Sequence, residues 1–216
     1  PYGMYVGTID DNGYFDMLYN IDAKEKITVS KGSTKYSVSV SGHDEIGDEE
    51  NYPYFLSKEK NGETYIKIND KTYRGNVEIR RLSDSDMTII NDINLDEYLY
   101  GVVPKEIGAS SHEEALKAQA IVARTFAVKN LGKRSKLGFD LFDGVSDQAY
   151  GGYEWENSRS NKAVDDTSGM IVVYKNQPIT ASYFSTSGGY TEDSKNVWGG
   201  EVAYLKSVRD EYEPIV

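Results

Sequence analysis

The chain has 216 residues, a formal net charge of −11 and no cysteine. So acidic a chain lacks the basic footprint of a nucleic-acid binder, and without cysteine there are no disulfides, no thiolate catalysis and no sulfur-ligated zinc. Hydrophobic residues make up 38% and mean hydropathy is −0.59, and no apolar run approaches the roughly 18 residues of a membrane span.

Residues 1–81 read as β. Tyr14–Tyr19 and Ile27–Val29 are short strand runs, Lys35–Val40 and Tyr65–Ile68 alternate with period two, and Tyr73–Ile79 follows. Asp11-Asn12-Gly13 and Asn61-Gly62 are hairpin-type turns. The acidic stretch 42–51 reads as a solvated loop, because it lacks the ligand spacing of a calcium loop. A candidate boundary after Arg81 divides a β-rich module, 1–81, from a helix-centred part, 82–216. No signal peptide opens the chain, and the protein is expected to continue in both directions.

Thr88-Ile89-Ile90 is a short strand leading into two helices. Asn94 is a good N-cap, and Leu95, Leu99 and Val102 give the first helix one apolar face. Pro104 is expected to close it, leaving Lys105–Gly108 as a connector that carries one carboxylate, Glu106. Ser110 with Glu113, or Ser111 with Glu114, forms a capping box for a second helix from about Ser111 to Asn130, stopped by Gly132. Ala115, Leu116, Ala118, Ala120–Ala123 and Phe126–Val128 cover most of its circumference, which predicts a buried central helix. Arg124 on that helix must find a partner or reach a cleft. Farther on, Ala163–Thr167 reads as a short helix ended by Gly169. Met170–Tyr174 and Ile179–Phe184 read as a hairpin around Lys175–Pro178, and Ser185–Gly189 is a glycine-rich loop. The class is α+β: a central buried helix and the helix before it packed on antiparallel strands, with an N-terminal β-rich module.

The run E-Y-L-Y-G-V-V-P-K-E-I from Glu97, followed by E-A-L-K-A-Q-A-I-V-A-R-T-F-A from Glu114, resembles the signature of the stage II sporulation protein D and amidase-enhancer family. Three later stretches match in order: S-D-Q-A-Y-G-G from Ser146, A-V-D-D-T-S-G-M-I-V-V-Y from Ala163, and A-S-Y-F-S-T-S-G-G-Y-T-E-D from Ala181, then Val197-Trp198. Ordered blocks are more specific than any one motif. Ile107-Gly108 stands where the family commonly has methionine-proline. The resemblance covers roughly Tyr73 to Tyr212. It implies an extracytoplasmic lytic transglycosylase that cleaves peptidoglycan glycan strands at the cell surface, in the cell wall or in the forespore-facing space, with Glu106 as the catalytic acid and base.

Glycosidic cleavage needs a proton on the departing oxygen. One carboxyl suffices if it then takes the proton of the muramic acid C6 hydroxyl, which closes on C1 to give a 1,6-anhydro sugar. Arg124 is either a donor near the glutamate or substrate, or a structural ion pair. Gln148 and Tyr150 can hydrogen-bond sugar hydroxyls, or close a turn. Tyr183, Ser185, Ser187 and Gly188 form a candidate substrate loop, and Trp198 is a sugar platform or a core tryptophan. His43 and His112 are the only histidines, so a serine triad is disfavoured and neither metal nor other cofactor is expected. Two rival readings stand beside the transglycosylase. One is a non-catalytic glycan-binding enhancer of a partner cell-wall amidase. The other is ordinary hydrolysis using a second carboxylate such as Asp147 or Asp193.

Overall fold

Asp11-Asn12-Gly13 closes the first hairpin as its residue types dictate. The Asp10 carboxylate accepts from the N–H groups of Asn12 and Tyr14 at 2.9 Å each, which holds strand β1 (Met4–Ile9) against β2 (Phe15–Ile21). The structure is a computed structural model that describes residues 2–81 and 86–213. The candidate boundary after Arg81 abuts residues 82–85, which lie outside the described residues.

Two small strands, β3 (Val29–Lys31) and β4 (Val38–Val40), pair with each other. Then come β5 (Tyr52–Ser57), β6 (Glu59–Lys60), β7 (Glu63–Ile68), β8 (Lys71–Arg74), β9 (Asn76–Arg80) and β10 (Thr88–Asp92). The expected Asn61-Gly62 turn joins β6 to β7, with both residues at positive φ, 56° and 79°. The run Tyr73–Ile79 is split at Gly75, whose φ is +75° and where a Cβ would lie 2.2 Å from the Asp92 carbonyl oxygen. The main sheet is antiparallel, in the order β10-β9-β5-β1-β2. Val6, Ile21, Val38, Val40, Phe55 and Val77 fill its core.

Helix α1 (Leu95–Ile107) starts at Asn94 as expected, the Asn94 side chain accepting from Asp96 N–H at 2.9 Å. It does not stop at Pro104. A proline costs a helix one hydrogen bond, but its own carbonyl still accepts: Pro104 O takes the Gly108 N–H at 3.1 Å. Gly101 O, one turn before Lys105, takes the Gly151 N–H from another segment at 3.1 Å. Helical geometry therefore persists to Ile107, and Gly108 ends it at φ 78°. Glu106 lies in the last turn of a helix rather than on a connector.

Helix α2 (Glu113–Asn130) is capped by His112, whose Nδ1 accepts from Glu114 N–H at 3.3 Å. Neither serine forms the expected capping box; the Ser111 hydroxyl donates instead to Ile107 O at 2.7 Å. The helix buries one face, through Leu116, Ala120, Ala123 and Ala127, while Ala115 and Ala118 are exposed. The alanines there permit close approach to α1 and to α3 (Ser158–Asp166) without enclosing the whole helix. Leu99, Val102, Val103, Leu116, Ala163 and Val164 make this second core, each large aliphatic side chain contributing about 1.5–3 kcal/mol when fully buried. The later hairpin is shorter than expected: β11 (Val173–Tyr174) and β12 (Gln177–Pro178) flank Lys175 and Asn176, both at positive φ. Val172, Val173 and Tyr174 are exposed, so burial does not extend the strands. A short helix, α4 (Ser194–Trp198), follows. The chain is α+β, strand-rich at its N-terminal end and helical at its middle.

Arg74 ties the two cores together. Its guanidinium donates to both Glu156 carboxylate oxygens, at 2.6 and 2.9 Å, lies 3.5 Å from Glu97 of α1 and faces the rings of Tyr65, Tyr100 and Tyr153. Burial opposes its charge, but the Glu156 carboxylate and hydrogen bond outweigh burial, so its pKa is raised.

Candidate active site

Glu106 projects from the C-terminal turn of α1 into a pocket of about 330 Å³, shared with Phe126, Asp147, Ala149, Ala181 and Tyr183. Such a volume lies at the small end of ligand sites. Ala149 N–H donates to Glu106 Oε1 at 2.7 Å, so a residue distant in sequence fixes one carboxylate oxygen. The Tyr183 hydroxyl lines the same pocket, close enough for the Glu106 charge to act on it. Burial pushes the Tyr183 phenol well above its usual range; the hydrogen bond from Gln148 draws it down and the Glu106 charge pushes it up again. Tyr183 therefore stays a neutral donor beside the acid.

Behind Tyr183 stands Gln148, 1% exposed. Its Nε2 donates to Tyr183 Oη and to Ala123 O of α2, each at 3.3 Å. Its Oε1 accepts from the Tyr98 hydroxyl at 3.3 Å. The amide is spent inside the protein and orients Tyr183. Tyr98 was not singled out from the sequence, although it lies eight residues before Glu106 on α1, hence near the same helical face. Ala149 carried no side-chain signal at all, since it acts through its backbone N–H.

Of the residues singled out from the sequence, the structure brings together Glu106, Gln148 and Tyr183. Arg124 is 2% exposed and turned away. It donates to Asp96 at 3.0 and 2.8 Å and to the carbonyls of Thr167, Val164 and Met170, the ion-pair alternative of the two left open. Tyr150 donates to Asn91 at 3.1 Å and packs on Tyr73 and Tyr98, outside the Glu106 pocket. The Ser187 hydroxyl reaches the Glu213 carboxylate and, at 3.2 Å, Asp210. Gly188 follows at φ +63°, Ser185 is exposed, and Trp198 is 63% exposed at the end of α4. None of these four lines the pocket.

The candidate second carboxylates are both engaged. Burial raises the Asp147 pKa, but the Phe142 N–H and the Arg134 and Lys133 cations prevail and the net shift is down. Arg134 lies 2.9 Å away and Lys133 3.5 Å. Asp193 caps α4 through Lys195 N–H at 2.9 Å and lies 3.5 Å from Lys206. An acid with one fixed oxygen, a neutral phenol donor and an open apolar wall at Phe126 can together give and take one proton at a bound ligand.

Residues 83–174 match the SpoIID family model, described as Stage II sporulation protein. The SpoIID span runs through α1, α2 and α3 and contains Glu106, Arg124, Gln148 and Tyr150, while Tyr183 lies beyond it. The "Amidase enhancer" of Bacillus subtilis (strain 168) is 45% identical over 116 residues, covering 54% of this chain and 16% of that protein. The "Stage II sporulation protein D" of the same strain is 38% identical over 139 residues, covering 57% of this chain and 40% of that protein. "Stage II sporulation protein D" of Bacillus amyloliquefaciens is likewise 38% identical over 139 residues. The chain thus spans less than half the length of these relatives. Among the described residues, no helix is long and apolar enough to cross a membrane.

Proposed function

We propose that this chain is an extracytoplasmic SpoIID-family lytic transglycosylase acting on peptidoglycan glycan strands, with residues 82–216 as its catalytic part and the β-rich 1–81 as an accompanying module. The observation that carries this reading is the Glu106 carboxyl at the pocket, held by Ala149 N–H at 2.7 Å and facing the same space as the Tyr183 phenol. In the first step, protonated Glu106 gives its proton to the glycosidic oxygen as the bond to C1 breaks. Glu106, now a carboxylate, then takes the proton of the muramic acid C6 hydroxyl, and O6 closes on C1. The products are a strand with a free hydroxyl and a 1,6-anhydro end; no water is consumed, and the acid returns to its starting state. Tyr183 supports the carboxylate in the middle of this cycle, and Gln148 keeps the phenol aimed.

Product analysis on glycan strands stripped of stem peptides tests the proposal. Mass spectrometry should find 1,6-anhydro ends with the parent protein and none with Glu106→Gln, which keeps size and polarity but supplies no proton. Loss of a positioned acid costs on the order of 10²–10⁴ in rate, and a residue used twice should sit at the upper end. Anhydro product from Glu106→Gln at the parental rate would sink the mechanism. The "Amidase enhancer" name of the 45% identical relative supports a second reading, a glycan-binding activator of a cell-wall amidase. Under it the pure protein releases no anhydro product, and only the partner's rate rises.

A further inference from the structure

A second hollow is larger than the Glu106 pocket. A groove of about 920 Å³ runs along β10, lined by consecutive residues from Thr88 to Ile93 on one side and by residues 138–143 on the other. Among the described residues β10 is the end strand of the main sheet, with β9 as its one sheet neighbour. An end strand presents backbone N–H and C=O groups along its outer edge, a template for another strand. Apolar side chains stand open beside it: Ile89 is 50% exposed, Leu131 61% and Phe142 45%. The rim is acidic. Asp70, Glu78, Asp92, Asp140 and Asp143 line the groove against one lysine, Lys71; Arg80 offsets Glu78, and Arg134, beside the groove, lies 4.6 Å over one face of the Phe142 ring and is shared with Asp147.

We propose that this groove binds an extended, basic segment of a partner protein, which adds as a strand along the outer edge of β10. Backbone pairing would supply register, Ile89 and Phe142 would take alternate apolar side chains, and the carboxylates would meet lysines or arginines. Charge decides between occupants. A second copy of a chain at −11 would bring acid against an acidic rim. A glycan strand freed of its peptides carries lactyl carboxylates and meets the same repulsion. The inference stands apart from the chemistry proposed at Glu106 and would hold for an enzyme or an enhancer alike.

The probe is a short blocked peptide of alternating lysine and valine, with a glutamate-for-lysine version as control. The basic peptide should bind, weaken with salt and slow amide hydrogen exchange at Ile89–Asn91. The acidic version should not bind. Asp70→Lys combined with Asp143→Lys, both at exposed positions, should weaken binding by about tenfold or more. Asp143→Asn alone should give a smaller loss if the double variant folds poorly. Equal binding of both peptides, protection confined to other strands, or undiminished binding by a folded Asp143→Asn and double variant would overturn the proposal. So would protection of β10 by glycan strands, which would assign the groove to substrate, or a dimer abolished by Ile89→Asp, which would assign it to a second copy.

Discussion

The buried amide of Gln148 donates to the phenol oxygen of Tyr183, and Tyr183 in turn meets the Glu106 carboxylate. Pocket lining and pocket support are thereby separated: Gln148 does not line the pocket, yet it holds a residue that does. Gln148→Leu leaves the Tyr98 hydroxyl, the Ala123 carbonyl and Tyr183 short of a partner. A stability loss of about 1–3 kcal/mol is expected in denaturant unfolding. In the proposed reaction, kcat should fall more than KM rises. A variant of parental stability and parental kcat would reduce Gln148 to filler.

Arg124 is a structural cation. Arg124→Met would strand Asp96 and free three carbonyls at once. Breaking a buried pair from one side costs about 3–5 kcal/mol; Asp96 is partly solvated, so about 3 kcal/mol is expected. Arg124→Lys should rescue little, because an ammonium cannot reproduce the fork. Full stability of the lysine variant in urea would refute this account.

Gly101→Ala weighs two effects against each other. Alanine favours a helix by about 0.5–1 kcal/mol over glycine. Its Cβ, however, would lie 2.6 Å from the Tyr150 ring, and overpacking costs about 1–3 kcal/mol. The clash should win, lowering the thermal midpoint and shifting Tyr150 away from Asn91. A raised midpoint would show that the ring yields freely.

Glu213 tethers the loop after Tyr183. Its carboxylate accepts from Ser187 and Thr186, and these bonds draw its pKa down to about 2. A folded-state pKa below the unfolded one means the tether is fully present above the ordinary glutamate range and is lost as pH falls towards about 2. Amide resonances of Thr186–Gly189 should therefore broaden or shift across that acid window. Between pH 6 and 8 they should stay fixed. Movement in the neutral range instead would point to another group.

The helix-centred half was the more legible. Asn94 and the apolar spacing of Leu95, Leu99 and Val102 were readable, because capping and periodicity are local; Glu106 was marked by the family resemblance, and its place in the last helical turn was not foreseen. Pro104 misled because its cost falls on one hydrogen bond, to the Tyr100 carbonyl, while its own carbonyl still accepts from Gly108 N–H and carries the helix on. His112 displaced the two serines because an imidazole nitrogen accepts as a hydroxyl does. Strands β1 and β5 did not stand out, since Gly7 and Pro53 interrupt their patterns, yet the sheet buries them. In the site, Ala149 was illegible for a plain reason: a backbone donor leaves no mark in residue type.

The contacts that complete Glu106 also impose an order of assembly. Glu106 meets Ala149 across 43 residues, and Gln148 meets Tyr183 across 35. A ribosome delivers the N-terminal strands first, so the sheet can close its core while α1 still carries an acid without a pocket. Only when Ala149 and Tyr183 have emerged and docked is the pocket of the proposed reaction complete. A nascent or truncated chain that ends before that point would be folded in its strands and chemically silent.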